Sequence, residues 1–422
     1  MFWSHLIKVI ELQIQKTNTN RLHNRNKIHM TQKIKTFNAI SKKGLSLLEK
    51  KDFEISETHS DPDAIILRSH KLQSVEFGKD LKAIARAGAG VNNVPVEECS
   101  ELGIPVFNTP GANANAVKEI VLAALLMSSR GLFQGASFVN SIEEPSQDKL
   151  KPLIESGKKD FKGRELTGGS LGVVGMGAIG SKVADMGVML GMNVIGFDPA
   201  ITVEAAWKLP NKVVRKESIE DVFKESDYIS LHVPANEKTK GLINLDLLKN
   251  SKEGLRLINF ARDEIVVSSD IIKCLENGIL SKYITDFADL ELISRAKNKK
   301  DVIVLPHIGA STSQAEENCS VMAAEQLEDF LINGNIKNSV NFPELVEPRL
   351  SDFRITLSNK NHPGMIGKIT TVLADNKLNI VDMINKSRGD LAYNVIDLET
   401  KPSEKVLSEL GALDDVINVR EV

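Results

Sequence analysis

Cysteine is scarce in this chain of 422 residues: Cys99, Cys274 and Cys319 are the three it has, far apart and without a C-x-x-C pair. That spacing excludes a disulfide framework and a structural zinc site, so no metal is expected, and it points to a reducing compartment, the cytoplasm. Also missing is any run near the ~18 uninterrupted apolar residues of a membrane helix, which removes the membrane from the expected partners. Charge of one sign is lacking too. The formal net charge is −3, with Lys and Arg scattered rather than striped, so no nucleic-acid partner is expected.

What remains is an ordinary globular composition, 42% hydrophobic and 26% charged. The length exceeds the ~250–300 residues at which single cores stop growing, so two or more domains are expected. Residues 1–29 stand apart, with five Lys or Arg against one acid and a second methionine, Met30, just after them. Lys8 and Glu11 interrupt the apolar part, which lacks the clean core of a secretory signal. They read as a disordered extension or a wrongly assigned start, with an organelle-type presequence as the second reading.

From "KIKTFNAI" through "DAIILRS", "LKAIARAGAGVNNV" and "IPVFNTP", short apolar runs end in polar or glycine-containing turns, with helical-period segments between them. That alternation predicts βα units around a parallel sheet. A long apolar helix, "NAVKEIVLAALLMSSRGLF", leads through a polar, irregular stretch to a second series. "SLGVVGMGAIG", "MNVIGFDP", "SDYISLHVP", "LRLINFAR", "YITDF" and "DVIVLPH" give it about seven strands. Another long helix and a Pro-containing connector follow. The last 70 or so residues read strand, helix, strand, strand, helix, strand, a separate split-βαβ module. The expected fold is α/β: two Rossmann-like, doubly wound lobes plus a ferredoxin-like βαββαβ domain at the C-terminus.

The three glycines of "GMGAIG" sit at a strand-to-helix junction. Gly175 allows the tight turn, Gly177 lets backbone approach a pyrophosphate, and Gly180 lets helix pack close on strand, with Ala178 and Ile179 in the same turn. The helix N-terminus then offers N–H groups to phosphates. An acid about 20 residues on completes the pattern, and Asp198 in "VIGFDP" supplies it, favouring NAD over NADP through the ribose hydroxyls.

Three more residues fall at strand ends of this lobe: Arg262, Glu291 and His307. Singly, an Arg is most often a surface cation and a His a satisfied core imidazole. Together they suit oxidation of a secondary alcohol. His307 would take the hydroxyl proton, Glu291 would fix its tautomer, and the fork of Arg262 would hold a substrate carboxylate.

With those residues in place, the motifs "RAGAGVNNV", "NTPGANANAVKE", "GVVGMGAIG", "LHVPANEKTKGLIN", "NFAR", "DFADLE" and "LPHIGAST" resemble the D-isomer-specific 2-hydroxy acid dehydrogenase family over nearly all of 33–340. The resemblance implies a catalytic set of Arg262, Glu291 and His307. For NAD it implies contacts at His232, Val233, Pro234, Thr239, Phe260, Ala261 and Asp286. It implies a substrate-binding domain of 30–132 with 313–345, a cofactor domain of 133–312, and a homo-oligomer, dimer or tetramer. The final 352–422 resemble an ACT domain, with "NKNHPGMIGKI" as its first loop. That combination implies 3-phosphoglycerate as substrate, a phosphorylated hydroxy acid, oxidised to 3-phosphohydroxypyruvate in serine biosynthesis. Family substrate positions fall on Arg68, Ser69 and Asn108, with Arg86 a weaker candidate and His70 where some relatives have another basic residue. An L-serine effector would meet Asn361, Gly364 and Asn379, although Asn359 stands where a His is common. Two readings stay open: another 2-hydroxy acid, such as hydroxypyruvate, glyoxylate or 2-oxoglutarate, or a non-catalytic NAD-sensing protein.

Overall fold

A computed structural model describes residues 31–51, 53–207 and 209–422; the extension at 1–29 lies outside the described residues. β1 (Lys33–Phe37), β2 (Glu54–Ser56), β3 (Ala64–Leu67), β4 (Ala83–Arg86) and β5 (Val106–Phe107) form one parallel sheet in the order β2-β1-β3-β4-β5. β3 reads AIIL and is buried at every position, the pattern of a parallel strand covered on both faces. The helix Ser313–Asn333 returns late in the chain to cover one face, placing Ala323, Ala324, Leu327 and Phe330 against Ile34, Ile66 and Ala85. Thr312 caps it by accepting the Ala315 N–H, and Gly334 ends it in the left-handed region at φ 71°.

A second parallel sheet contains β6 (Ser170–Val174), β7 (Asn193–Phe197), β8 (Val214–Arg215), β9 (Tyr228–Leu231), β10 (Leu255–Asn259), β11 (Leu280–Thr285) and β12 (Val302–Val304). Its order, β12-β11-β10-β9-β6-β7-β8, reverses direction between β9 and β6, so a crevice opens at their carboxyl ends.

The segment expected as one long helix is two: Ala114–Ser129 and Leu132–Asn140, broken where Arg130 is extended at φ −132° before Gly131. The first of these, counted with the substrate-binding lobe in the sequence, buries Val117, Val121, Ala124 and Leu125 in the core of the cofactor sheet. The stretch expected to be irregular also holds a helix, Gln147–Gly157, which tolerates Pro152 within it. Phe161, its ring tilted against that of Phe138 at 5.5 Å, lies at the helix's far end.

The terminal domain pairs β13 (Phe353–Lys360), β14 (Ile380–Arg388), β15 (Leu391–Leu398) and β16 (Val416–Glu421) antiparallel, in the order β14-β15-β13-β16. Its helices Met365–Asp375 and Glu404–Gly411 cover one face through Ile355, Leu357, Ile396 and Leu398. The other face is not free: it packs on the first lobe. Strand alternation turns Leu391, Tyr393 and Val395 the opposite way, into the core of the first lobe. There the Tyr393 hydroxyl donates to Gly334 O at 2.8 Å, and Arg420 lies over the Phe330 ring at 4.4 Å. Arg354 forks onto Asp397 at 2.7 and 2.8 Å, each side chain 1% exposed. All three cysteines are buried, and among the described residues no helix is long and apolar enough to cross a membrane.

Candidate active site

The glycine turn is built as its spacing predicts. Gly175 has φ +91°, and a Cβ there would meet His232 O at 2.6 Å. One at Gly180 would lie 1.8 Å from Gly175 O, so helix and turn touch directly. Gly177 differs: it caps the helix Ala178–Met189, and the space where its Cβ would project is open to 4 Å. Asp198, just past β7, is tied to this turn, with Oδ2 accepting from Met176 N at 2.8 Å and Oδ1 from Ala200 N at 2.9 Å.

Neighbouring strand ends carry the remaining cofactor candidates. His232 follows β9, its Nε2 2.9 Å from Ser230 Oγ; burial pushes its pKa down to about 3, so the ring is neutral. Next to it, Val233 and Pro234 lead into a turn closed by Thr239, whose hydroxyl donates to Pro234 O. Phe260 and Ala261, buried after β10, are positioned by Asn259. Its Oδ1 accepts from Ala261 N at 3.0 Å and its Nδ2 donates to Arg262 O at 2.8 Å. Asp286, after β11, is 2% exposed; Oδ2 accepts from Gly309 N at 2.8 Å, while Oδ1 is buried without a hydrogen-bond partner among the described residues. Burial raises its pKa against that hydrogen bond and the attraction of His307. An open approach over Gly177 and an unsatisfied carboxylate oxygen at Asp286 fit a dinucleotide lying along these strand ends.

Across the cleft, Arg68 follows β3 and pairs with Glu316 at 2.8 Å. Ser69 N and His70 N both donate to Asn38 Oδ1, at 3.0 and 2.7 Å, which fixes the turn carrying Arg68. The His70 ring stacks on Phe37 at 4.2 Å, and its Nε2 is 2.8 Å from Glu76 Oε1. Asn108 Nδ2 donates to Ala89 O at 2.7 Å, while Arg86 Nε donates to Arg68 O at 3.1 Å. From the cofactor lobe, Arg262 reaches over: its Nη2 would lie 3.2 Å from a Cβ on Gly90. Burial lowers the Arg86 pKa, and repulsion from Arg262 and Arg68 adds to it despite the opposing thiol of Cys319. Three guanidinium groups therefore face one cleft.

His307 follows β12, exposed to the cleft, with Phe287 edge-on at 5.0 Å. Glu291 does not join it. Asp289 caps the helix Leu290–Asn298, so Glu291 falls in that helix's first turn and points to solvent. No hydrogen bond between Glu291 and His307 is present among the described residues. The acids that act electrostatically with His307 are Asp286 and Asp263. The Asp263 pKa is lowered first by a hydrogen bond from Glu264 and, further down, by His307. Sequence reading missed Asp263, Asn259 and Asn38. Asn259 carried a signal, as a polar residue closing an apolar strand directly before "FAR"; Asn38 carried none.

With this geometry in view, residues 122–309 match the D-isomer specific 2-hydroxyacid dehydrogenase, NAD binding domain, and residues 353–415 match the ACT domain. The chain belongs to the D-isomer specific 2-hydroxyacid dehydrogenase family, and its cofactor is NAD. It is similar to the D-3-phosphoglycerate dehydrogenase of Haemophilus influenzae, 31% identical over 379 residues, 87% of this chain and 88% of that one. The hydroxypyruvate reductase of Thermotoga maritima is 32% identical over 299 residues, 67% of this chain and 92% of that protein. Among solved structures, the NAD+-bound 3-phosphoglycerate dehydrogenase of Entamoeba histolytica aligns with TM-score 0.60 at 29% identity, covering 75% of this chain and all of that one (100%). The chain is thus an oxidoreductase acting on 2-hydroxy acids.

Proposed function

We propose that this enzyme oxidises 3-phospho-D-glycerate to 3-phosphohydroxypyruvate, the entrance to serine biosynthesis. The observation that carries the reading is the gathering of Arg68, Arg86 and Arg262 at one cleft, with Arg86 Nε on Arg68 O at 3.1 Å, the Arg86 guanidinium beside Gly88 and that of Arg262 beside Gly90. A lone carboxylate needs one guanidinium fork; three suit a substrate with a carboxylate at one end and a phosphate at the other. The similarity to the Haemophilus influenzae protein through the ACT domain points the same way.

In this reading Arg262 clamps the carboxylate and polarises the C2 oxygen, while Arg68, Ser69 and Asn108 hold the phosphate end. His307 takes the proton from the C2 hydroxyl. NAD held along the strand ends would supply the acceptor for the C2 hydride. Glu291 acts only if the Phe287–Leu290 turn swings it inward, which a shifted pH profile of Glu291→Gln would reveal.

The initial rate of NADH oxidation with 3-phosphohydroxypyruvate, beside hydroxypyruvate and 2-oxoglutarate, tests the proposal. A preference for the phosphorylated substrate that vanishes in His307→Ala supports it. Equal rates move the assignment to another 2-hydroxy acid.

For serine, the sheet geometry gives a condition. Asn361 follows β13 and donates through Nδ2 to Gly389 O, whereas Asn379 precedes β14 and donates to Glu399. β13 and β14 run alongside β15 over eight residue pairs, so the two Asn lie at opposite ends, ~25 Å apart. One serine therefore meets both only between two copies, with the open loop at Gly364 (φ +89°) beside it. Asn359 takes no part in such a site: it is 1% exposed and hydrogen-bonded to buried Asn394. An apolar patch of exposed Leu126, Leu132, Phe133, Val139 and Leu153 supports a homo-oligomer formed through the cofactor lobes. Serine titration of the rate tests the effector reading, and an unchanged rate at saturating serine refutes it.

A further inference from the structure

A second cavity, about 440 Å³, opens at the amino-terminal edge of the cofactor sheet, a strand's length from the nicotinamide end. Its lining includes six cations, Arg130, Lys162, Arg164, Arg256, Lys282 and Lys300, against one acid, Asp160. Arg256 at the start of β10 and Lys282 in β11 are half-buried and form the floor; the others are exposed around the rim. Nearby acids are already engaged. Asp227 pairs with Lys252 at 2.9 Å and reaches only Arg164 of the rim, at 3.8 Å, and Asp301 pairs with Arg295 at 2.7 Å.

The floor is held in place yet keeps donors to spare. Arg256 Nε donates to Ser128 O at 3.1 Å and its guanidinium lies 5.2 Å from the Tyr228 ring centre, leaving Nη2 without a partner among the described residues. Lys282 Nζ donates to Lys300 O at 2.6 Å and has two further protons. Burial holds the Lys282 pKa below its ordinary value, and Arg256 and Lys300 push the same way against the attraction of Asp301. Two half-buried cations with four more around the rim oppose one another unless an anion enters.

We propose that this cavity binds a small molecule carrying two or more phosphate-type charges, one group on the floor between Arg256 and Lys282 and another among the rim cations. A planar fork beside an ammonium suits a phosphate oxygen pair. The volume lies in the range of ordinary small-molecule sites. The location gives such a ligand a lever: the helix Ala114–Ser129 starts beside the cleft and ends, at Ser128 and Ser129, in this cavity's wall.

Calorimetric titration of the full-length protein with inorganic pyrophosphate tests the site, with NADH saturating so that the glycine turn is filled. The wild type should bind, and more weakly as salt rises. Lys282→Gln should lose about tenfold or more in affinity, as should the exposed rim double variant Arg130→Gln/Lys300→Gln, which leaves the core untouched. Arg262→Gln in the cleft should leave that affinity unchanged. Absence of binding in the wild type, including absence because a second copy covers the cavity, overturns the proposal. So does an affinity that ignores both cavity variants and follows Arg262. Neither result touches the dehydrogenase reading, which no step of this experiment measures.

Discussion

Adding one methyl group should cost stability at Gly180 and cofactor affinity at Gly177. At Gly180 the new Cβ would sit 1.8 Å from the Gly175 carbonyl oxygen, a backbone atom that cannot swing away. Turn and helix must separate, at a cost of about 1–3 kcal/mol for overpacking. At Gly177 the backbone is already at φ −69°, which alanine adopts freely, and the methyl enters open space. The fold should change by no more than about 0.5 kcal/mol. That open space is where the pyrophosphate would approach, so the methyl should displace at least one charge-assisted hydrogen bond to backbone. Each is worth about 1.5–3 kcal/mol, a tenfold to hundredfold loss of affinity. Denaturant unfolding and NADH fluorescence titration, run on the same two proteins, separate the effects. The reasoning is refuted if Gly177→Ala binds NADH as tightly as wild type, or unfolds as early as Gly180→Ala.

His232 should make stability pH-dependent. Its folded pKa, about 3, lies below the usual 6.5, so its contribution is complete above 6.5 and fades as pH falls toward 3. The span is up to about 5 kcal/mol, and His232→Gln should flatten urea midpoints across that window. Asp397→Ala strands the buried Arg354 guanidinium and should cost about 3–5 kcal/mol, loosening the terminal sheet, with the loss read by unfolding and by proteolysis of residues 349–422. Arg262→Lys replaces a fork with a point charge; kcat/KM should fall about tenfold to hundredfold while NADH affinity holds.

Much of this was legible because parallel sheets leave strong local traces. Continuous apolar strands such as β3 and β6, each ending in a glycine or polar turn, announce both lobes, and Asp198 confirms the turn it follows. The docking of the terminal sheet was not legible. Alternation along β15 shows two apolar faces but does not say whether a partner chain or the first lobe covers the second. Glu291 shows a different limit. Its position in the motif is clear, yet a single capping residue, Asp289, decides which way the helix start faces. The basic cavity was invisible for a third reason: its six cations are spread over residues 130–300, and only the return of strand starts to one sheet edge collects them.

The chain crosses between its two large lobes twice, and the crossings run side by side. One lies near Thr109–Asn113 and the other near Ile308–Thr312, with Asn318 Nδ2 reaching Ala112 O at 3.4 Å from just past the second. Two such straps tie the lobe with Arg68 and Asn108 to the lobe with Arg262 and His307 at neighbouring points. Gly111, in the first strap, comes so close to Ala178 that a Cβ on it would be 2.9 Å from the Ala178 methyl. The first strap thus rests on the glycine turn of the other lobe, and any side chain larger than hydrogen at position 111 would press the two lobes apart at that point.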